Sequence, residues 1–294
     1  MHFANGTLQL HVAEDGDPSL PPILLLHGIT SFGGTWDWLT PTLAERFRVL
    51  RLDFRGHGGS DRAPDAYTSS GYVTDAVAAL RNVAGRPCPV IGHSLGGATA
   101  AALTQRHADL ITAAILEDPP LGLGDRPSEG DGGDGNALEG NALLDGFRLM
   151  RESIPQLQRS DITLEALVAI LSAAPDTTRS STFGEMLEAD ALEAMARSLL
   201  RVDATVLDPV LNGSIDPFLD AEAPLEVPTL IITADPSKPD AVADPRLARR
   251  FADLSENVEV RTIDGAGHLI HDEKASRPTF KRAVLDFLDR CSVT

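Results

Sequence analysis

A chain of 294 residues with 43% hydrophobic and 23% charged residues suits one large globular domain carrying an insertion, with a sizeable core. Its formal net charge of −18 repels phosphate backbones and anionic lipid, which excludes nucleic acid and membrane as expected partners and leaves a solvated acidic exterior. Cys88 and Cys291 form neither a metal spacing nor a disulfide framework, no apolar run is long enough to span a bilayer, and 1–6 shows no secretory pattern, so a cytoplasmic location is expected.

Leu8, Leu10 and Val12 alternate with polar residues and predict a half-exposed antiparallel strand over 7–12. Ile23 to Leu26 is a continuous apolar run, as in a strand covered on both faces, and it ends in His27-Gly28-Ile29-Thr30. Trp36 to Phe47 reads as a helix, Arg48 to Asp53 as the next strand, and Phe54 to Asp61 as a second glycine-rich loop at a strand end. Tyr72 to Ala84 has helical spacing, with Val73, Val77 and Leu80 on one stripe.

The apolar run Pro89 to Ile91 then breaks into Gly92-His93-Ser94-Leu95-Gly96-Gly97 and the small-residue segment 98–103. This predicts a strand, a sharp turn and a helix, the setting of a G-x-S-x-G serine. The turn strains the backbone at Ser94, and a side chain at Gly92 or Gly96 would collide with the neighbouring strand or helix. The serine hydroxyl then stands where the free N–H groups of the helix N-terminus meet developing negative charge.

Ile111 to Leu116 is a further buried strand, ending in Glu117-Asp118-Pro119-Pro120. Strands alternating with helices imply a mainly parallel sheet whose site is built from loops at the carboxyl ends of the strands. The alternation then stops. Leu121 to Asn141 is dense in Gly, Asp and Glu and reads as a mobile linker, after which 143–153, 163–173 and 183–200 follow helical patterns with no strand between them. Residues 121–222 are therefore read as a linker plus a helical cap inserted between 1–120 and 223–294 of one core. Val227 to Asp235 restores the sheet, Pro245 to Leu254 reads as a helix, Val258 to Ile263 as a last strand, and Arg277 to Cys291 as a closing helix. Asp264-Gly265-Ala266-Gly267-His268 lies in the loop before that helix.

Four motifs in order, His27-Gly28, Asp53 to Asp61, Gly92 to Gly97 and Gly265 to His268, resemble the α/β-hydrolase fold family over about two thirds of the chain. The resemblance implies an α/β fold with a mostly parallel eight-stranded sheet flanked by helices, and an all-helical cap after strand 6. A serine hydroxyl needs a base to take its proton; His268, late in the chain and glycine-flanked, fits that role better than His271, and His93 beside the serine points away. The resemblance also implies that the backbone N–H groups of Leu95 and Ile29 hold the oxyanion. His27 is expected to make structural hydrogen bonds, Asp53, Arg55 and Asp61 to brace their loop, and Trp36 and Trp38 to pack.

The acid departs from the usual pattern. Most families of this fold place it two residues past a G-[DE] pair after the seventh strand, and in Ala234-Asp235-Pro236-Ser237 that place holds Ser237, which carries no charge. A minority take the acid from the end of the sixth strand, where Asp118 stands; Asp118 is favoured and Asp235 is its rival.

A serine at the elbow argues against the haloalkane dehalogenases and epoxide hydrolases of this fold, which use aspartate there. The expectation is hydrolysis of a carboxylic ester or lactone of a small to medium, largely apolar molecule through an acyl-enzyme, with no cofactor and no metal. Lactone cleavage finds added support in the similarity of an Asp118-type acid under a helical cap to the branch that opens resorcylic lactones. Alternatives are a carbon–carbon bond hydrolase of the same fold and a hydrolase-like ligand receptor signalling through cap movement.

Overall fold

The computed structural model describes residues 1–122, 142–176 and 181–291. From residue 123 on, the acidic linker expected at 121–141 lies outside the described residues. The first six strands are β1 (His2–Asn5), β2 (Leu8–Asp15), β3 (Pro22–Leu26), β4 (Arg48–Asp53), β5 (Cys88–His93) and β6 (Ile111–Glu117). A two-residue antiparallel ladder, β7 (Pro175–Asp176) with β8 (Ser181–Thr182), lies in the insertion, and β9 (Thr229–Thr233) and β10 (Val258–Thr262) complete the set. The main sheet runs β1-β2-β4-β3-β5-β6-β9-β10, antiparallel at β1-β2 and β2-β4 and parallel from β4 to β10. The connections that return each parallel strand include α1 (Thr40–Ala44), α2 (Ser69–Ala79) and α3 (Leu95–Arg106). The insertion carries α4 (Ala142–Gln158), α5 (Leu164–Ala173), α6 (Phe183–Met186), α7 (Ala189–Leu199) and α8 (Asp208–Leu211), and the chain closes with α9 (Pro245–Leu254) and α10 (Arg277–Cys291).

The continuous apolar runs have the burial a two-sided sheet demands. Leu24 and Leu26 of β3 join Leu50, Leu52, Val90 and Leu116 in the core under α2 and α3. Their neighbours Ile23 and Leu25 join Val49, Ile91 and Ile115 in a second core against Leu43, Phe280, Val284 and Phe287. Alternate residues of one strand thus feed opposite layers, which is why β3 shows no polar position.

Several local differences from the sequence reading have identifiable causes. β1 escapes notice because its four residues alternate too briefly, and it forms through a hairpin at Gly6, whose φ is +61°. The helix expected over 36–47 shortens to Thr40–Ala44, since Pro41 fits only the first turn of a helix. The pattern at 183–200 splits into α6 and α7, because Leu187 and Glu188 are extended (ψ 150° and 152°) and leave the helix to pair with the 272–274 segment. With the β7–β8 ladder, this makes the insertion mainly rather than wholly helical. No helix among the described residues is long and apolar enough to cross a membrane.

Candidate active site

Ser94 sits between β5 and α3 with φ 52° and ψ −115°. A non-glycine residue with φ in the left-handed region stores roughly 1–3 kcal/mol of strain, which the surrounding packing holds in place. Two glycines make that packing possible. A Cβ on Gly92 would lie 2.1 Å from the Gly96 carbonyl oxygen, and one on Gly96 would lie 2.4 Å from that of Leu26. Strand and helix therefore approach to a distance that no side chain allows, and Ser94 stands at the α3 N-terminus, 6% exposed.

The His27-Gly28-Ile29 loop lies beside it, since a Cβ on Gly28 would be 3.4 Å from Ser94 Cβ. His27 is fully buried and accepts the Phe54 N–H at Nε2 (3.1 Å), which leaves the proton on Nδ1; Nδ1 donates to the Gly28 carbonyl at 2.7 Å. Burial drives the His27 pKa down to about 3, so this neutral tautomer persists at physiological pH. The consequence is electrostatic. With its C=O held by His27 and by the Ser31 N–H (3.0 Å), the planar Gly28–Ile29 peptide turns its N–H the opposite way. The N–H groups of Ile29 and Leu95 carry no acceptor among the described residues. Two free donors thus border Ser94, the arrangement an oxyanion hole requires.

His268 is 4% exposed and donates from Nδ1 to Asp118 Oδ2 at 2.7 Å. Asp118 follows β6 directly, is fully buried, and takes φ 38°. Its remaining lone pairs are met by backbone: Oδ1 accepts from Ala234 (3.0 Å) and Ala243 (3.1 Å), and Oδ2 accepts from Val242 (2.9 Å). Every contact this carboxylate makes is thus with a donor. Asp235 is placed otherwise. It faces solvent, where the Ser237 hydroxyl and N–H together with the Gly265 N–H hold its carboxyl down at about 2. The structure brings Asp118 to His268 and leaves Asp235 capping a turn.

His93 Nε2 donates to the His268 carbonyl at 3.1 Å, joining the elbow to the 265–268 loop one residue from Ser94. Burial holds its pKa well below the ordinary range. Behind it lies a second imidazole–carboxylate pair. His271 meets Glu117 at 2.8 and 2.9 Å, both side chains fully buried. Burial opposes a charge on His271, but the facing Asp272 and Glu117 carboxylates outweigh it and raise its pKa; burial raises that of Glu117 against the pull of His271. From residue types alone His271 competes with His268 as the base and Glu117, immediately before Asp118, has no expected role. His93, Glu117 and His271 are the group with metal-ligand spacing among the described residues, and the contacts just given engage their donor atoms with one another and with the His268 carbonyl.

The bracing expected of the second loop is present. Asp53 accepts from Gly33 (2.7 Å), Gly59 (2.9 Å) and His11 (2.8 Å), so it ties two loops to β2. Arg55 pairs with buried Asp75 at 2.7 and 2.9 Å, and Asp61 takes the Gln9 N–H at 2.8 Å. Trp36 stacks on His271 with ring centroids 4.5 Å apart, while Trp38 packs beside Phe280 and under Arg277. The insertion closes over the site. Ser198 of α7 donates to the Thr30 carbonyl (2.7 Å), Glu188 N–H to the Asp272 carbonyl (2.9 Å), and Lys274 N–H to the Met186 carbonyl (2.9 Å). Arg277 adds a two-point ion pair to Asp190 at 2.8 and 2.9 Å.

Comparison with known proteins agrees with this architecture. The chain is 26% identical to the mouse sn-1-specific diacylglycerol lipase ABHD11 over 277 residues, covering 93% of this chain and 83% of that protein. It is 33% identical to the 2-(acetamidomethylene)succinate hydrolase of Mesorhizobium japonicum over 113 residues, which is 38% of this chain and 40% of that one. The solved enol-lactonase from Burkholderia xenovorans LB400 superposes with a TM-score of 0.68 over 98% of this chain and all of that one, at 22% identity, and shows a shared fold. The model of the Alpha/beta hydrolase family matches residues 23–281, most of the chain, and together with the elbow, the sheet order and the inserted helices it establishes that this chain belongs to the alpha/beta hydrolase family.

Proposed function

We propose that the protein is a serine hydrolase that cleaves a carboxylic ester or lactone of a small to medium, largely apolar molecule through an acyl-enzyme. The observation that carries this reading is the buried Asp118–His268 hydrogen bond of 2.7 Å, with the His268 ring packed against His93, the residue before a strained serine, and two backbone N–H groups that carry no acceptor among the described residues. With Nδ1 committed to Asp118, His268 keeps Nε2 as the basic atom. Ser94 Oγ attacks the carbonyl carbon as Nε2 takes its proton, and the oxygen that becomes negative is held by the Ile29 and Leu95 N–H groups. His268 then returns the proton to the leaving alcohol, and the same atoms activate water to release the acid.

The apolar preference rests on the continuity of one hydrophobic core between the residues that carry those donors and the insertion. Ile29 and Leu95 share one hydrophobic cluster with Leu121 and with Leu144, Phe147, Ile154 and Leu207 of the insertion. An apolar acyl or alcohol group gains from burial there, while a charged one would lose its hydration without a partner. Relatives named for ester and lactone substrates, the diacylglycerol lipase and the enol-lactonase, are consistent with this class. The test is hydrolysis of p-nitrophenyl acetate and butyrate and of a simple lactone, with Ser94→Ala as control. Multiple turnover lost in Ser94→Ala supports the proposal. A single slow turnover with a large ligand-induced melting shift would replace it with a receptor role.

A further inference from the structure

The buried Glu117–His271 pair has no part in proton transfer, yet it sits where the base loop is anchored. Glu117 Oε1 accepts both the His271 backbone N–H (2.8 Å) and its ring Nδ1 (2.9 Å), with Oε2 at 2.8 Å from the same nitrogen. The opposite ring nitrogen lies 3.0 Å from Thr35 Oγ1 and 3.3 Å from Asp272 Oδ1, and Trp36 stacks on the ring face. The ring is therefore fixed at both edges and one face. His268, three residues earlier, is held by Asp118, the residue after Glu117. The loop is thus fastened to the end of β6 at two points, with the His93 ring between them, its centroid 4.8 Å from that of His268 and 4.9 Å from that of His271. Arg277 Nε ties the His271 carbonyl to α10 at 2.6 Å.

We propose that Glu117 and His271 are positioning residues for the base, fixing the 268–271 loop so that the His268 ring meets Asp118 on one side and Ser94 on the other. Stability does not account for the pair, because a buried ion pair is often replaceable by apolar residues of equal volume without loss. Geometry does account for it: proton transfer from Ser94 requires the His268 ring within a narrow range of position, and a displacement of about 1 Å at such a site costs about 100-fold in rate. An apolar contact slides; a two-point hydrogen bond from one carboxylate to both the backbone and the ring of His271 does not.

This inference rests on the serine hydrolase reading, and the test separates the two. The readout is the rate at which a fluorophosphonate probe labels Ser94, followed by intact-mass spectrometry, which reports activation of the serine whatever the natural substrate. Circular dichroism and thermal melting report folding. Glu117→Gln keeps an acceptor and the volume but lowers the strength and symmetry of the clasp; it is expected to label roughly 10- to 100-fold more slowly while remaining folded. His271→Asn, which retains a donor near Nδ1, is expected to recover most of the rate that His271→Leu loses. Thr35→Val loosens the other ring edge without a buried charge and is expected to slow labelling roughly 3- to 10-fold; combined with Asp272→Asn at the same edge, it decides the matter if Glu117→Gln does not fold. A folded Glu117→Gln labelled at the wild-type rate, or failing that a folded Thr35→Val/Asp272→Asn double variant labelled at the wild-type rate, overturns the positioning role alone. A wild-type protein that the probe never labels overturns the serine hydrolase reading, and the positioning role with it.

Discussion

Replacing Asp118 by asparagine keeps the shape of the side chain and inverts one hydrogen bond. In the native site both oxygens of Asp118 face only donors: three backbone N–H groups and His268 Nδ1. If the asparagine oxygen stays with Ala234 and Ala243, its amide nitrogen faces Val242 N–H and His268. The amide then donates to Nδ1, so the imidazole carries its proton on Nε2 and has no lone pair for the Ser94 hydroxyl. The wrong tautomer in a triad of this kind lowers kcat by about 10⁴-fold, which is about 5 kcal/mol of barrier. The confronted Val242 donor adds a separate destabilisation of about 1–3 kcal/mol. Initial rates on p-nitrophenyl butyrate, with melting temperatures measured alongside, read the two effects independently. Asp235→Asn serves as the comparison, since that carboxylate binds its own turn and the Gly265 N–H but makes no bond to His268, and it should stay within a few-fold of wild type. A folded Asp118→Asn that keeps a tenth of wild-type kcat, or an Asp235→Asn that loses several orders of magnitude, would refute the tautomer argument.

Three further perturbations follow from other contacts. Gly92→Ala places a Cβ against main-chain atoms of Gly96 at 2.1 and 2.3 Å, so β5 and α3 must separate; urea unfolding should show a loss of about 3 kcal/mol or more, and a loss under 1 kcal/mol would contradict the close approach. His27 is neutral when folded down to about pH 3, against an ordinary value of 6.5 in the unfolded chain, so the unfolded chain binds an extra proton between those limits and stability must fall as pH falls through 6.5. The slope from this residue is about 1.4 kcal/mol per pH unit, and His27→Asn, which keeps a donor toward the Gly28 carbonyl, should flatten the stability profile by that amount between pH 6 and 4.5. Asp190→Ala leaves Arg277 with a carboxylate no nearer than Asp272 at 3.9 Å; a stability loss of about 1 kcal/mol is expected from urea unfolding, and none would assign the junction to its backbone pairing.

Most of the sheet was legible in the sequence because two-sided burial writes itself as uninterrupted apolar runs, as in Ile23 to Leu26 and Val90 to Ile91. The elbow was legible for a related reason: glycine at 92 and 96 reports a close approach rather than a local preference. What stayed hidden depends on partners far away in the chain. The break at Leu187 and Glu188 comes from pairing with Glu273 and Asp272, and nothing within 183–200 announces it. The role of Glu117 is invisible for the same cause, since its meaning lies in His271, 154 positions later. The aim of the Ile29 N–H is a matter of tautomer, fixed by Phe54 acting on His27, and residue types alone carry no such information.

The backbone donors around Asp118 bear on how freely this region can change. The loop after β9 contributes main-chain N–H groups at 234, 242 and 243 to the carboxylate, and no side chain. Sequence there is accordingly tolerant: serine at 237 is harmless, and alanine, valine or a larger residue at 242 would serve alike if space allows. Proline is barred at those three positions, because it alone removes the donor. Drift in this loop can therefore reshape the rim of the site while the Asp118 carboxylate keeps its backbone donors.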